Sequence, residues 1–358
     1  MTLKSYVLLA GLVLSAFAGK TQPITDAQAL DAGHALEKVT NNGDSYALNY
    51  FFCADSLLER IRQKSKFLQN PAAFDGFKSS YVPGLHSGNF GKQIQINTHN
   101  GSYRLIREFD QGGRKHLLFR IFGDGGLNYH DFILTRVGDS IKAADLYSYI
   151  TDGWTSSSMA MIADLMGQSS DPLSYASVLK KMGEQARSAD YTGVISTYET
   201  LGPELKHNKS IQAIYISACH HIDLVVYQKA LEDYAATFPD AASSYLMMLD
   251  LYYMQKQYDK ALFAVNKLDT IVGGDPLLDL FRGNIYVLMN KPAEALVHYE
   301  KAYRYDPTLK INVLKLAGQY AAVGQKDKAQ KVINAYVQTP GYHTGDLNTL
   351  YDQYPDLK

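Results

Sequence analysis

Four charged residues interrupt apolar alternations in the middle of the chain. Arg107 alternates with Leu105 and Phe109, Arg120 with Leu118 and Phe122, Asp131 with Tyr129 and Ile133, and Asp145 with Ala143 and Tyr147. In a strand, residues two apart share a face. If all four faces turn inward, two guanidinium groups and two carboxylates meet in one interior. Buried charges must pair, and such a set could bind a polar ligand. The opposing reading leaves some of these faces in solvent, because the run carrying Arg120 can equally turn Leu117, Phe119 and Ile121 inward.

Other residues of chemical interest fall short of a site. His220 and His221 are adjacent, so on a helix they diverge by about 100° and do not readily share a metal. His130 and Asp131 in a strand point to opposite faces. "GDGGLNYHD" lacks the oxygen-ligand spacing of a calcium loop and reads as a hairpin turn. Gly19-Lys20-Thr21 echoes the tail of a phosphate loop without its upstream glycines or strand. No serine, cysteine or histidine lies in a nucleophile elbow. No catalytic residue, metal site or cofactor is expected.

The elements that must position these residues differ between the two halves. In the first, "TDAQALDAGHALEKV" reads as an amphipathic helix capped by Thr25. "DSYALNYFFCADSLLERIRQKSKFL" reads as a second helix, ended by Asn70-Pro71. Beyond about residue 90 the period becomes two. Turn signals then follow in series at Asn100-Gly101, Gly112-Gly113, Gly125-Gly126 and Gly138-Asp139. They separate "KQIQINTH", "SYRLIREF", "KHLLFRIF", "LNYHDFILTRV" and "IKAADLYSYI", a five-stranded antiparallel meander. In element order, helices followed by a meander resembles the cystatin-like cone of the nuclear-transport-factor superfamily, which contains both enzymes and binding modules.

Bulk properties narrow the partners. The chain has 358 residues, with 35 Lys plus Arg against 36 Asp plus Glu, so charge gives no reason to expect nucleic acid. "MTLK" followed by "SYVLLAGLVLSAFA" has the charged and apolar regions of an export signal, with Ala16-Phe17-Ala18 as a cleavage pattern. Residues 1–18 are therefore expected to be a signal peptide, leaving no stable membrane span and a periplasmic or secreted product; an uncleaved N-terminal anchor is the rival reading. Cys53 and Cys219 are the only cysteines. They form one disulfide or remain two thiols in apolar helical surroundings.

In the second half, Ala261, Ala295 and Ala329 stand 34 residues apart, and so do Tyr252, Tyr286 and Tyr320. A fixed period of this length marks a helical repeat array. In the middle unit one helix runs from about Leu277 to Leu288, "MNKP" turns the chain, and a second runs from about Ala293 to Tyr305, ended by Asp306-Pro307. Gly283, Tyr286, Ala295, Tyr299, Ala302 and Pro307 follow the pattern of the tetratricopeptide repeat, which this half resembles. Five helix pairs are expected over 172–343, after an α+β unit over 24–165 and before a C-terminal tail over 344–358. The first pair opens on Asp171-Pro172.

The resemblance implies a curved solenoid whose first helices line a concave, partner-binding surface. Its positions here would be Leu246, Asp250, Tyr253, Met254, Leu280, Asn284, Val287, Leu288 and Leu314. That surface is mostly apolar, which fits a protein or peptide partner in the cell envelope. A cover formed by this chain's own N-terminal half, or by a second copy in a homodimer, fits equally. The sequence thus reads as a non-catalytic scaffold or adaptor. The competing reading is a small-ligand or enzymatic cone served by Arg107, Arg120, Asp131 and Asp145, with the solenoid as an accessory.

Overall fold

The computed structural model describes residues 23–168, 175–239 and 241–358. The leader-like residues 1–18 and the Asp171-Pro172 cap lie outside them. The chain forms an α+β N-terminal part followed by an all-α, solenoid-like array of helix pairs.

Helix α1 (Asp26–Asn41) opens on a capping box. The Thr25 hydroxyl accepts from Gln28 N, and the Gln28 side chain accepts from Thr25 N. The second expected helix is broken in two, α2 (Ala47–Phe51) and α3 (Ala54–Lys64). At the break, Phe52 bridges Ala143 and Cys53 N donates to Ala143 O at 2.8 Å, so a tertiary backbone bond replaces helical ones. Asn70-Pro71 ends one segment but also starts α4 (Pro71–Leu85), with Asn70 as N-cap and proline where no donor is needed.

"KQIQINTH" is not a strand. Its first six residues lie in α5 (Asn89–Asn97), which buries Ile94 and leaves Ile96 65% exposed. Alternation would have placed both isoleucines on one face. The helix wins because Gly91 lets it lie against the Ser45 carbonyl, where a Cβ would come within 1.9 Å. Gly91 N also donates to the buried Asn49 side chain.

The sheet is a meander of β1 (Ser102–Gln111), β2 (Arg114–Gly123), β3 (Gly126–Val137), β4 (Ser140–Ser148) and the two-residue β5 (Gly153–Trp154). Its inner face sets Tyr103, Leu105, Leu117, Phe119, Phe132 and Leu134 against Ala29, Leu36, Leu48, Leu57 and Ile61 of the helices. Helix α6 (Thr155–Gln168) closes this part, tied to the end of α3 by a 2.5 Å hydrogen bond from Ser65 to Asp164.

The array follows. Its described pairs are α7 (Tyr175–Arg187) with α8 (Tyr191–Glu199) and, after the single turn α9 (Pro203–Lys206), α10 (Lys209–Ile222) with α11 (Leu224–Thr237). Then come α12 (Ala242–Met254) with α13 (Tyr258–Val272), α14 (Leu278–Leu288) with α15 (Pro292–Tyr305), and α16 (Lys310–Ala322) with α17 (Lys326–Val337). Residues 344–358 fold back as α18 (Asn348–Gln353) and a final turn. They bury Leu347, Leu350 and Leu357 in the cluster of the last pairs.

The period seen in the sequence is a period of backbone geometry. Lys256, Asn290 and Gly324 all have positive φ, and the next residue of each donates back across the turn to Tyr252, Tyr286 and Tyr320. Such left-handed caps close the carbonyl end of a helix. Ala261, Ala295 and Ala329 are fully buried where the paired helices cross. At the same crossing Gly283 touches the Tyr299 ring, and a Cβ there would lie 2.5 Å from it.

Replacing Gly283 by Ala is expected to lower stability by about 1–3 kcal/mol, because the ring must move. Gly318→Ala, whose added methyl would meet Leu350 at an ordinary 3.6 Å, is expected to be neutral or stabilising. The denaturant midpoints of the two variants give the comparison.

Candidate functional site

The outer face of the sheet does not meet solvent; it meets the array. Leu118, Tyr129 and Tyr149 share one buried cluster with Leu246, Leu249, Val272 and Leu278. Phe122 meets Phe281 edge-on at 6.1 Å. Within this contact Arg120, fully buried on β2, donates to Asp275 at 2.5 Å. Tyr129 on β3 donates to the other oxygen of Asp275 at 2.7 Å. Asp275 lies in the turn between α13 and α14 and also accepts from Leu277 N. Burial pulls the Arg120 pKa down; Asp275, aided by Tyr305 and Tyr129, outweighs it and raises the pKa. Beside it Arg104 approaches Asp306 at 3.7 Å and Glu37 at 3.6 Å.

The four charges expected in one interior do not gather there. Bulges at Leu105/Arg107 and at Ile133/Leu134 shift the register. Leu105 therefore faces the helices, whereas Arg107 pairs with Leu118 and lies over Phe109 at 4.3 Å. The second bulge likewise breaks the alternation between Ala143, which enters the inner core, and Asp145. Arg107 packs on Gly273, where a Cβ would come within 2.4 Å of its guanidinium carbon. Asp131 Oδ1 lies 2.8 Å from His116 Nδ1 in a hydrogen bond between two buried side chains. Asp145 is bound by Arg60 at 3.0 Å and by the Ser156 hydroxyl and backbone N–H. Arg120, Asp131 and Asp145 thus each have a different protein partner.

The nine concave positions divide along the helices. Near the starts of α12 and α14, Leu246 and Leu280 are buried, and Leu314 packs against the cluster of the last pairs. At mid-helix, Asp250 accepts from the Tyr227 hydroxyl and Asn284 from the Tyr299 hydroxyl. Tyr253 donates to the Phe281 carbonyl at 3.2 Å. Toward the helix ends, Met254 is half-buried, and Val287 and Leu288 are 44% and 49% exposed. The sheet covers the first part of this face, and an aliphatic strip at the far end remains open.

Sequence reasoning missed Asp275. Asp275-Pro276 reads as an ordinary helix start, and its partner lies 155 residues away. The only available signal was an arginine on an apolar face that needed an acid. Cys53 and Cys219 are free thiols, Cys219 fully buried. Among the described residues no helix is long and apolar enough to cross a membrane.

No family model matches the sequence, and no curated protein matches it. Among solved structures, the crystal structure of MamA protein is similar at 15% identity and a TM-score of 0.40, over 50% of this chain and 94% of that one. Similarity this low fixes neither partner nor activity.

Asp275→Ala is expected to cost about 3–5 kcal/mol, because it strands a buried guanidinium. The double variant Arg120→Met with Asp275→Leu should recover most of that loss in a denaturation cycle. A second expectation concerns His130, which is buried on the inner face, stacked on Phe90, with its pKa pushed down by burial to about 3. Its unfolded value is about 6.5, so below that pH only the unfolded chain takes up the proton. Stability should fall from about pH 6.5 toward pH 3, with a slope of up to about 1.4 kcal/mol per unit from this group. In His130→Phe that part of the slope should vanish from pH-dependent melting curves.

Proposed function

We propose that the protein is an exported, non-catalytic scaffold whose helical array holds a protein or peptide partner in the cell envelope. The observation that carries this reading is the open strip at the ends of the first helices. Val287 and Leu288 are exposed side by side at the end of α14, on the helix that repeat arrays turn toward their concave, partner-binding face. The sheet's cover over the helix starts supports a shorter groove than nine positions would make. That suits an amphipathic helix or a short extended segment offering a few apolar side chains. The commitment of Arg120, Asp131 and Asp145 to structural partners favours binding over catalysis. The leader-like pattern of residues 1–18 supports the envelope or secreted location. In this reading 24–165 and 172–343 are the two units, and residues 344–358 complete the second by packing on its last helix pairs.

Leu288→Glu is the direct test, since the position is half in solvent and the charge should leave folding intact. Partner capture from envelope extract should drop at least tenfold in Leu288→Glu and in Val287→Glu, with helicity unchanged. Retained capture in both variants places the partner elsewhere. A concentration-dependent dimer in light scattering, lost in the same variants, assigns the strip to a second copy instead.

A further inference from the structure

A second recess lies in the N-terminal part, away from the array. It has a volume of about 320 Å³ and is walled by Phe52, Tyr81, Leu85, Phe90, Leu146 and Met159, with Asn49, Ser80, Gly84 and Thr155 completing the lining. No lining side chain carries a charge. Its polar capacity is mostly spent. The Asn49 amide donates to the Leu85 carbonyl at 2.7 Å and accepts from Gly91 N at 3.0 Å, pinning the end of α4 to the start of α5. The Ser80 hydroxyl donates to the Phe77 carbonyl.

Tyr81 differs. Among the described residues its hydroxyl, like that of Thr155, has no hydrogen-bond partner in the structure, and its ring stacks on Phe77 at 5.3 Å. Burial, and then the Asp145 carboxylate, push its pKa above the ordinary value. It therefore remains a protonated donor. The wall that carries it is also lightly held. Helix α4 has fifteen residues and none is fully buried, and it contains Pro83 in its last turn. A helix with so few buried contacts belongs to the low-stability end of a structure, where binding elements are found.

We propose that this recess is a binding site for a neutral, largely apolar molecule bearing one oxygen acceptor, which Tyr81 would hold by donating its hydroxyl proton. Volume sets the size. A cavity of about 150 Å³ takes benzene, so this one has room for a chain of roughly ten carbons. Neutrality follows from the lining. A charged ligand would lose its hydration with no opposite charge to meet it. The site is independent of the partner-binding strip, which lies on the helical array.

The test uses the full chain and three probes of one chain length: 2-decanone, decanoate and decylammonium. Calorimetry should show 2-decanone binding at least tenfold more tightly than either ion. Tyr81→Phe should weaken 2-decanone about three- to tenfold, the worth of one hydrogen bond, without changing the melting temperature of the free protein by more than a few degrees. Met159→Trp should abolish binding by filling the recess. Should that variant fail to fold, Gly84→Phe replaces it, because a Cβ at Gly84 meets no atom within 4 Å. Absence of 2-decanone binding up to its solubility limit overturns the proposal. So does equal binding of decanoate, or binding that survives the filling substitution.

Discussion

The arrangement of the two halves depends on one buried ion pair. Arg120 and Arg104 are direct cross-strand neighbours on β2 and β1, and like charges in that relation repel. The array resolves the conflict. The turn after α13 brings Asp275 to Arg120, and the turn after α15 brings Asp306 to Arg104. Both guanidinium groups lie within 6 Å of the Tyr305 ring, at 5.7 and 5.9 Å. Successive inter-repeat turns thus answer successive strands. A sliding of the sheet along the array by one repeat would separate Arg120 from its acid and leave a charge buried alone, which is far costlier than any loss of apolar contact there.

That pairing constrains chemistry as well as geometry. Arg120 has two further nitrogens, Nε and Nη2, buried without protein partners. The cost of burying them is offset by one short charged bond and by the apolar contacts of Leu118 and Phe122 beside it. Such a group selects one docked arrangement more than it stabilises the fold, because an apolar pair of similar volume would hold the faces together at least as well. The close approach of Arg107 to Gly273 serves the same end. A left-handed glycine caps α13 and at the same time leaves room for an arginine from the sheet.

The array was legible in the sequence because its constraints are local and repeated. Ala261, Ala295 and Ala329 report the same helix crossing three times, and the left-handed turns before them recur at the same interval. The sheet was legible from β1 onward, where the paired glycines set its hairpins. Two kinds of information were not local. The bulges at Leu105/Arg107 and Ile133/Leu134 part Arg107 from the face of Leu105 and Asp145 from that of Ala143, and Arg120, Asp131 and Asp145 are taken up singly by Asp275, His116 and Arg60. The helix over 89–97 depends on a contact between Gly91 and Ser45 that no periodicity encodes. The nine expected concave positions lie on α12, α14 and α16, where Leu246 and Leu280 are buried and Val287 and Leu288 stay exposed.

The docked sheet also limits what the array can hold. A repeat solenoid ordinarily offers its whole inner surface, with each first helix contributing residues along its length. Here Leu246 and Leu280 are sealed near the helix starts, and the mid-helix polar atoms of Asp250, Tyr253 and Asn284 bond within the array. What remains is an edge of aliphatic side chains, Val287 and Leu288. In the scaffold role proposed above, recognition at such an edge would work through shape and apolar area, which favours an amphipathic helix over an extended segment. An unfolded peptide would have to lose its conformational entropy on binding without gaining backbone hydrogen bonds from these aliphatic side chains in return.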